Sequence, residues 1–169
     1  GYHPFVLRVQ IVKKLLIALI FSLATTVWAG DLEDGFAAFD KGDYKAAFSF
    51  HKKAAEQGDS IAQAMLGAYY SDGTVVRQDD AEAVRWYKLA AAQGDSSAQF
   101  SLGVLYNNGE GVLQDYLKTH MWWNLAATSG HRKAHEWRDS VARKMTPQQI
   151  AKAQAMAKKC LASQYEDCD

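Results

Sequence analysis

Between Ser60 and His131 the apolar and polar positions run through the same order twice. Ser60–Asp95 reads SIAQAMLGAYYSDGTVVRQDDAEAVRWYKLAAAQGD, and Ser96–His131 reads SSAQFSLGVLYNNGEGVLQDYLKTHMWWNLAATSGH. With no gap, Ala62 falls on Ala98, Gln63 on Gln99, Leu66-Gly67 on Leu102-Gly103 and Tyr70 on Tyr106. Further along, Gly73 falls on Gly109, Asp79 on Asp115, Trp86 on Trp122, Ala90-Ala91 on Ala126-Ala127 and Gly94 on Gly130. The period is 36 residues, and a fixed period in this range is the signature of a solenoid. Ala62, Leu66, Gly67 and Tyr70 recur at helical spacing, which predicts a first helix with one apolar stripe. Gly67 and Gly103 sit mid-helix, where glycine costs roughly 1 kcal/mol against alanine; its recurrence implies close approach by a neighbouring helix. Ser71-Asp72-Gly73 and Asn107-Asn108-Gly109 are turn chemistry. Asp79 and Asp115 are N-caps for a second helix, which carries Ala83, Trp86, Tyr87, Ala90 and Ala91 inward. Gly94 and Gly130 stand where a helix end calls for positive φ. Two antiparallel helices of this kind cannot bury their faces alone, so the units must stack. The fold class is all-α: an α/α superhelix of about four antiparallel helix pairs.

These residues resemble the Sel-one-like repeat (SLR) family, relatives of the tetratricopeptide repeat. The shared pattern is A-x-x-x-L-G-x-x-Y-x-x-G followed by D-x-x-x-A-x-x-W-Y-x-x-A-A-x-x-G. Ala62 to Gly94 fits it throughout, while Ala98 to Gly130 departs at Thr119, where alanine is expected, and at Trp123, where tyrosine is commoner. The resemblance implies a superhelix that binds proteins or peptides, with no shared catalytic apparatus and no cofactor. It also implies that the first helix of each pair lines the concave side. The stripe beside the core stripe would then face the groove, since residues three and four apart share a helix face. That stripe is Ala64, Ala68 and Ser71, then Phe100, Val104 and Asn107. Phe100 is the large exception among small residues. It is either an anchor for a ligand or a side chain packed into a neighbouring helix; Asn107 would bond a ligand backbone.

The chain outside the two full repeats divides readily. Residues 1–10 read as upstream sequence. Lys13-Lys14, the apolar run Leu15–Val27 and the small residue Ala29 describe a cleavable signal peptide. The run is shorter than the roughly 20 residues of a spanning helix, and the expected cut follows Ala29. Residues 30–169 then form one helical-repeat domain. Within it 31–59 is a shorter, tetratricopeptide-like first unit, 60–95 and 96–131 are full repeats, and 132–169 is a C-terminal capping helix pair. Arg132–Lys144 reads as a helix with Ala134, Trp137, Val141 and Ala142 on one side. Thr146-Pro147-Gln148-Gln149 starts the next with a capping box and proline at the first position. Cys160 and Cys168 are an even cysteine count behind an export signal, hence a disulfide. Eight residues of continuous helix would separate them by roughly 12 Å, beyond the approximately 7 Å bridging limit. The helix must therefore end near Ala162 and the chain fold back.

Charge sharpens the expectations. The 19 basic residues less Arg8, Lys13 and Lys14 leave 16 against 19 acids, which gives no basic surplus for nucleic acid. Asp31–Asp115 carries 14 acidic and 7 basic residues, whereas His131–Cys160 carries 8 basic and 2 acidic. The solenoid thus has an acidic front and a basic end, or simply ordinary solvated helix faces. His131, His135 and Glu136 could share a helix face as metal ligands. A zinc site wants three or four ligands and only His120 is near, so solvated histidines are preferred and no metal is expected. Ser49-Phe50-His51-Lys52 is an S-x-x-K string without the partner motifs of penicillin-recognising enzymes. The resulting expectation is a periplasmic or secreted bacterial scaffold that binds a protein or peptide partner, is monomeric, and keeps no membrane span after cleavage. Two alternatives stand beside it: a β-lactamase-like hydrolase of cell-wall-related substrates, and a structural protein self-assembling head to tail.

Overall fold

The computed structural model describes residues 30–168, so the expected signal peptide lies outside the described residues. Among them there are eight helices and no strand. They are α1 (30–40), α2 (Tyr44–Glu56), α3 (Ser60–Asp72), α4 (Asp80–Ala91), α5 (Ser96–Asn108), α6 (Tyr116–Thr128), α7 (Ala134–Ala142) and α8 (Pro147–Ala162). The full repeats form the closest pairs, α3 on α4 and α5 on α6, and each pair stacks on the next through α2–α3 and α4–α5.

The starts of the helices follow from aspartates at fixed places. Asp43, Asp59, Asp79, Asp95 and Asp115 each accept a hydrogen bond from a backbone N–H in the first turn of the following helix, satisfying donors that a helix start leaves open. Thr146 and Gln149 form the expected capping box of α8. Between units the chain turns through Gly58, Gly94 and Gly130, all at positive φ. The next residue's N–H then bonds back to Ala54, Ala90 and Ala126 respectively. These three turns lie 36 residues apart and are the physical form of the repeat.

Inside a pair, one contact sets the spacing. A Cβ placed on Gly67 would lie 2.6 Å from the Tyr87 ring, and one on Gly103 would collide with the Trp123 indole. The first unit has the same arrangement, Gly35 beneath His51, although its inter-helix turn is shorter. The close approach expected at the mid-helix glycines is thus that of a ring from the partner helix. Two departures from the repeat pattern are accommodated locally. Thr119 is fully buried and its hydroxyl donates to the Asp115 carbonyl, 2.8 Å away, as helical threonines do with the preceding turn. Trp123 donates from Nε1 to the Phe100 carbonyl at 3.0 Å.

Between units, Gln63 Nε2 donates to the Ala55 carbonyl at 3.2 Å, and Gln99 Nε2 to the Ala91 carbonyl at 3.4 Å. Both glutamines are buried, so each replaces lost water contacts with a bond to the preceding unit.

The C-terminal end differs from expectation. The register position held by Asp59 and Asp95 is His131 in the third turn, so no carboxylate caps the next helix. Accordingly α7 begins only at Ala134 and has no side-chain cap, shorter than the 132–144 helix that periodicity suggests. α7 and α8 do not repeat the close pairing of the earlier units; each packs chiefly on α6. Enclosed by α5, α7 and α8, α6 is buried nearly all round, from Thr119 through Ala127, the pattern of a central helix. α8 ends at Ala162. Gln164 and Tyr165 take positive φ, Tyr165 N–H bonds the Cys160 carbonyl at 2.8 Å, and the chain reverses. The Cα atoms of Cys160 and Cys168 come to 4.6 Å with their sulfurs at bonding distance.

Gly103→Ala should destabilise the protein by about 1–3 kcal/mol through overpacking against Trp123, outweighing the roughly 1 kcal/mol that alanine gains in a helix. Urea unfolding checks this; Trp123→Leu in the same chain should recover part of the loss by emptying the slot.

Candidate peptide-binding groove

The first helices of the two full repeats, α3 and α5, touch each other directly. The six stripe residues expected to face a groove are all half-buried. Ala64 packs against the larger apolar core. Ser71 from α3 and Phe100 and Val104 from α5 line one depression of about 130 Å³, together with Tyr87, Ser101 and Glu110. Asn107 lies at the end of α5, where its Nδ2 donates to Asn108 Oδ1 and its backbone carbonyl accepts from Gln114. Ala68 is half-buried on the same α3 face.

Phe100 does more than line this depression. Its ring stacks on His131 with centroids 4.2 Å apart, lies 6.1 Å from Trp123, and meets Trp137 edge-on at 5.4 Å. Trp137 also meets Trp123 edge-on at 5.4 Å. Phe100 thus packs against rings from neighbouring segments, the second of the two roles expected for it. Trp137 is 40% exposed, so it covers this cluster from outside and does not point inward with Ala134 and Val141. On its other side Phe100 borders a second depression of about 430 Å³, lined by Ser96, Gly130, His131, Arg132 and Lys133. The two depressions meet at Phe100.

His51 and His131 pack against neighbouring rings. His131 is held by the Phe100 stack, and its pKa is lowered by burial, then by Lys133 and Arg132. His135 is exposed. Among the described residues no three His, Cys, Asp or Glu side chains are grouped to hold a metal ion. His51 is fully buried over Gly35, with Nδ1 3.1 Å from the Tyr69 hydroxyl. Burial lowers its pKa, partly opposed by Asp59. The S-x-x-K string lies on α2 with Ser49 exposed. Lys52 forms a surface ion pair with Glu56 at 3.9 Å, which is not the arrangement of a nucleophile beside a buried base. Sequence reasoning assigned no role to His51, Gln63 or Gln99. The only available signal for the glutamines was their recurrence at the same repeat position.

The Sel1 repeat pattern matches residues 32–59, 60–95 and 96–131. The chain belongs to the Sel1 repeat family. Sel1 repeats generally mediate protein–protein interaction and are generally non-catalytic scaffolds. Two solved structures are similar. One is c5321, described as a protective antigen of uropathogenic Escherichia coli strains displaying an SLR fold, at 28% identity and TM-score 0.75 over 82% of this chain and 31% of that one. The other is a Sel1 repeat protein from Oxalobacter formigenes, at 27% identity and TM-score 0.60 over 80% of this chain and 62% of that one. The chain therefore spans under a third of the E. coli protein and about three-fifths of the Oxalobacter protein. None of the curated proteins matches it significantly. Among the described residues no helix is long and apolar enough to cross a membrane.

Three histidines, His51, His120 and His131, have pKa values lowered from 6.5, chiefly by burial. Near the ordinary value the unfolded chain takes up protons that the folded chain refuses, so stability rises with pH there. Thermal melts should show full stability above about pH 6.5 and a falling melting temperature as pH drops through that value towards the lowered ones. His51→Tyr places the next repeat's residue in the same slot and should make the acid decline shallower.

Proposed function

We infer that this Sel1 repeat protein is an exported scaffold that holds a segment of a partner protein along the α3–α5 face. The observation that carries the reading is the position of Phe100. A large, half-exposed aromatic on an otherwise small-residue stripe stands where two depressions meet, and such aromatics dominate binding energy at interfaces. Its ring is held by His131, Trp123 and Trp137, so little rotamer freedom remains to be lost on binding.

Export is supported by the Lys13-Lys14 and Leu15–Val27 pattern. A Cys160–Cys168 bridge would suit an oxidising compartment such as the periplasm. It would fasten the reversal after α8, whose Tyr165 packs against the larger apolar core. Mass analysis of the exported protein should give a chain beginning at Gly30, and thiol labelling should find no reactive cysteine before reduction and two after. Retention of Leu15–Ala29, or two reactive thiols in the native protein, would refute the corresponding part.

The groove is tested with a peptide selected from a random library on the immobilised protein. Val104→Arg places a long charged side chain on the stripe and should weaken that peptide by about 2 kcal/mol or more while leaving the melting temperature nearly unchanged. Undiminished binding would place the partner on another face.

A further inference from the structure

The groove is not electrically uniform along its length. The depression between α3 and α5 has Glu110 at its edge, whereas the larger one beyond Phe100 has Arg132 and Lys133. Both of these basic side chains are exposed, and the second depression is lined by no acid. Asp95, next in the chain to Ser96, accepts from the Ala98 backbone N–H at 2.7 Å. Downstream, Asp139 is held by Arg138 at 2.8 Å. The surrounding segment from His131 to Cys160 carries 8 basic residues against 2 acidic ones. The half-buried Phe100 ring and two exposed cations therefore adjoin one another on open surface, with Glu136 in the first turn of α7 the nearest acid along the chain.

We propose that the surface formed by Phe100, His131, Arg132 and Lys133 binds an acidic peptide segment, one in which an apolar or aromatic side chain is followed closely by carboxylates. This rests on the groove reading above and adds the partner's chemistry. The apolar side chain lies on the exposed part of the Phe100–His131 stack. The carboxylates lie over Arg132 and Lys133, where a guanidinium offers a paired set of donors to a carboxylate. Glu110 at the far edge disfavours acids there, so the partner segment lies in one direction only, with its acidic end towards α7. Like-charge juxtaposition is a source of such orientation.

The test sequences the peptides that a random library yields on the full chain. It then measures the best binder by fluorescence anisotropy against wild type and an Arg132→Glu/Lys133→Glu variant. Both side chains are exposed, and the variant should melt like wild type. The expected result is enrichment of Asp or Glu within a few residues of Phe, Trp, Tyr or Leu. Affinity should fall about tenfold or more in the variant and fall with added salt. Peptides that lack acids and bind both proteins equally, yet lose affinity in Val104→Arg, would overturn the acidic-partner proposal and leave the groove reading standing. Peptides indifferent to all these changes would overturn both. Growth of molecular mass with protein concentration, abolished by the charge reversal, would assign the surface to the acidic front of a second copy and overturn the proposal.

Discussion

Each of the first three helix pairs is held close by an aromatic ring lying over a glycine, and much of the remaining structure depends on that contact. His51 lies over Gly35, Tyr87 over Gly67 and Trp123 over Gly103. The missing side chain lets the helices approach, and the ring fills the resulting slot, so neither residue works without the other. The rings also reach beyond the slot. His51 meets the Tyr69 hydroxyl of the following unit, Tyr87 lines one depression with Ser101 of the following unit, and Trp123 donates to the carbonyl of Phe100. The spacing within a pair, the stacking between pairs and the placement of the groove aromatic are therefore coupled through three side chains.

What could be read from the sequence was what is decided locally. The helix pairs of the full repeats, the caps at Asp79 and Asp115, the capping box at Thr146 and the reversal before Cys168 each follow from residues a few positions apart. The stripe Ala64, Ala68, Ser71, Phe100, Val104 and Asn107 was legible as one set of half-buried positions on α3 and α5. The setting of Phe100 was not, because its neighbours Trp123, His131 and Trp137 come from three different segments and no local periodicity links them. The same limit applies to α7. Periodicity extended it to 132–144, but its start is governed by the loss of one aspartate at position 131, and its packing by an α6 already enclosed by α5 and α8.

That exchange of aspartate for histidine also connects fold to surface. Asp59 and Asp95 serve the helices that follow them. His131, at the equivalent turn, instead lays its ring on Phe100. The residues just after it, Arg132 and Lys133, stay outside the shortened helix and remain at the surface. The position that ends the repeat pattern thus also shapes the aromatic and basic end of the groove.

The inter-unit turns have a consequence for how such a chain can change in length. The junctions at Gly58-Asp59 and Gly94-Asp95 share the backbone bond to an alanine carbonyl and the aspartate cap, and each is followed by the same glutamine tie. A duplicated block of 36 residues inserted between them would meet familiar partners on both sides, whereas one inserted after His131 would find no cap and an α6 already covered. Duplication within this architecture is therefore accommodated at the inter-unit turns and opposed after His131.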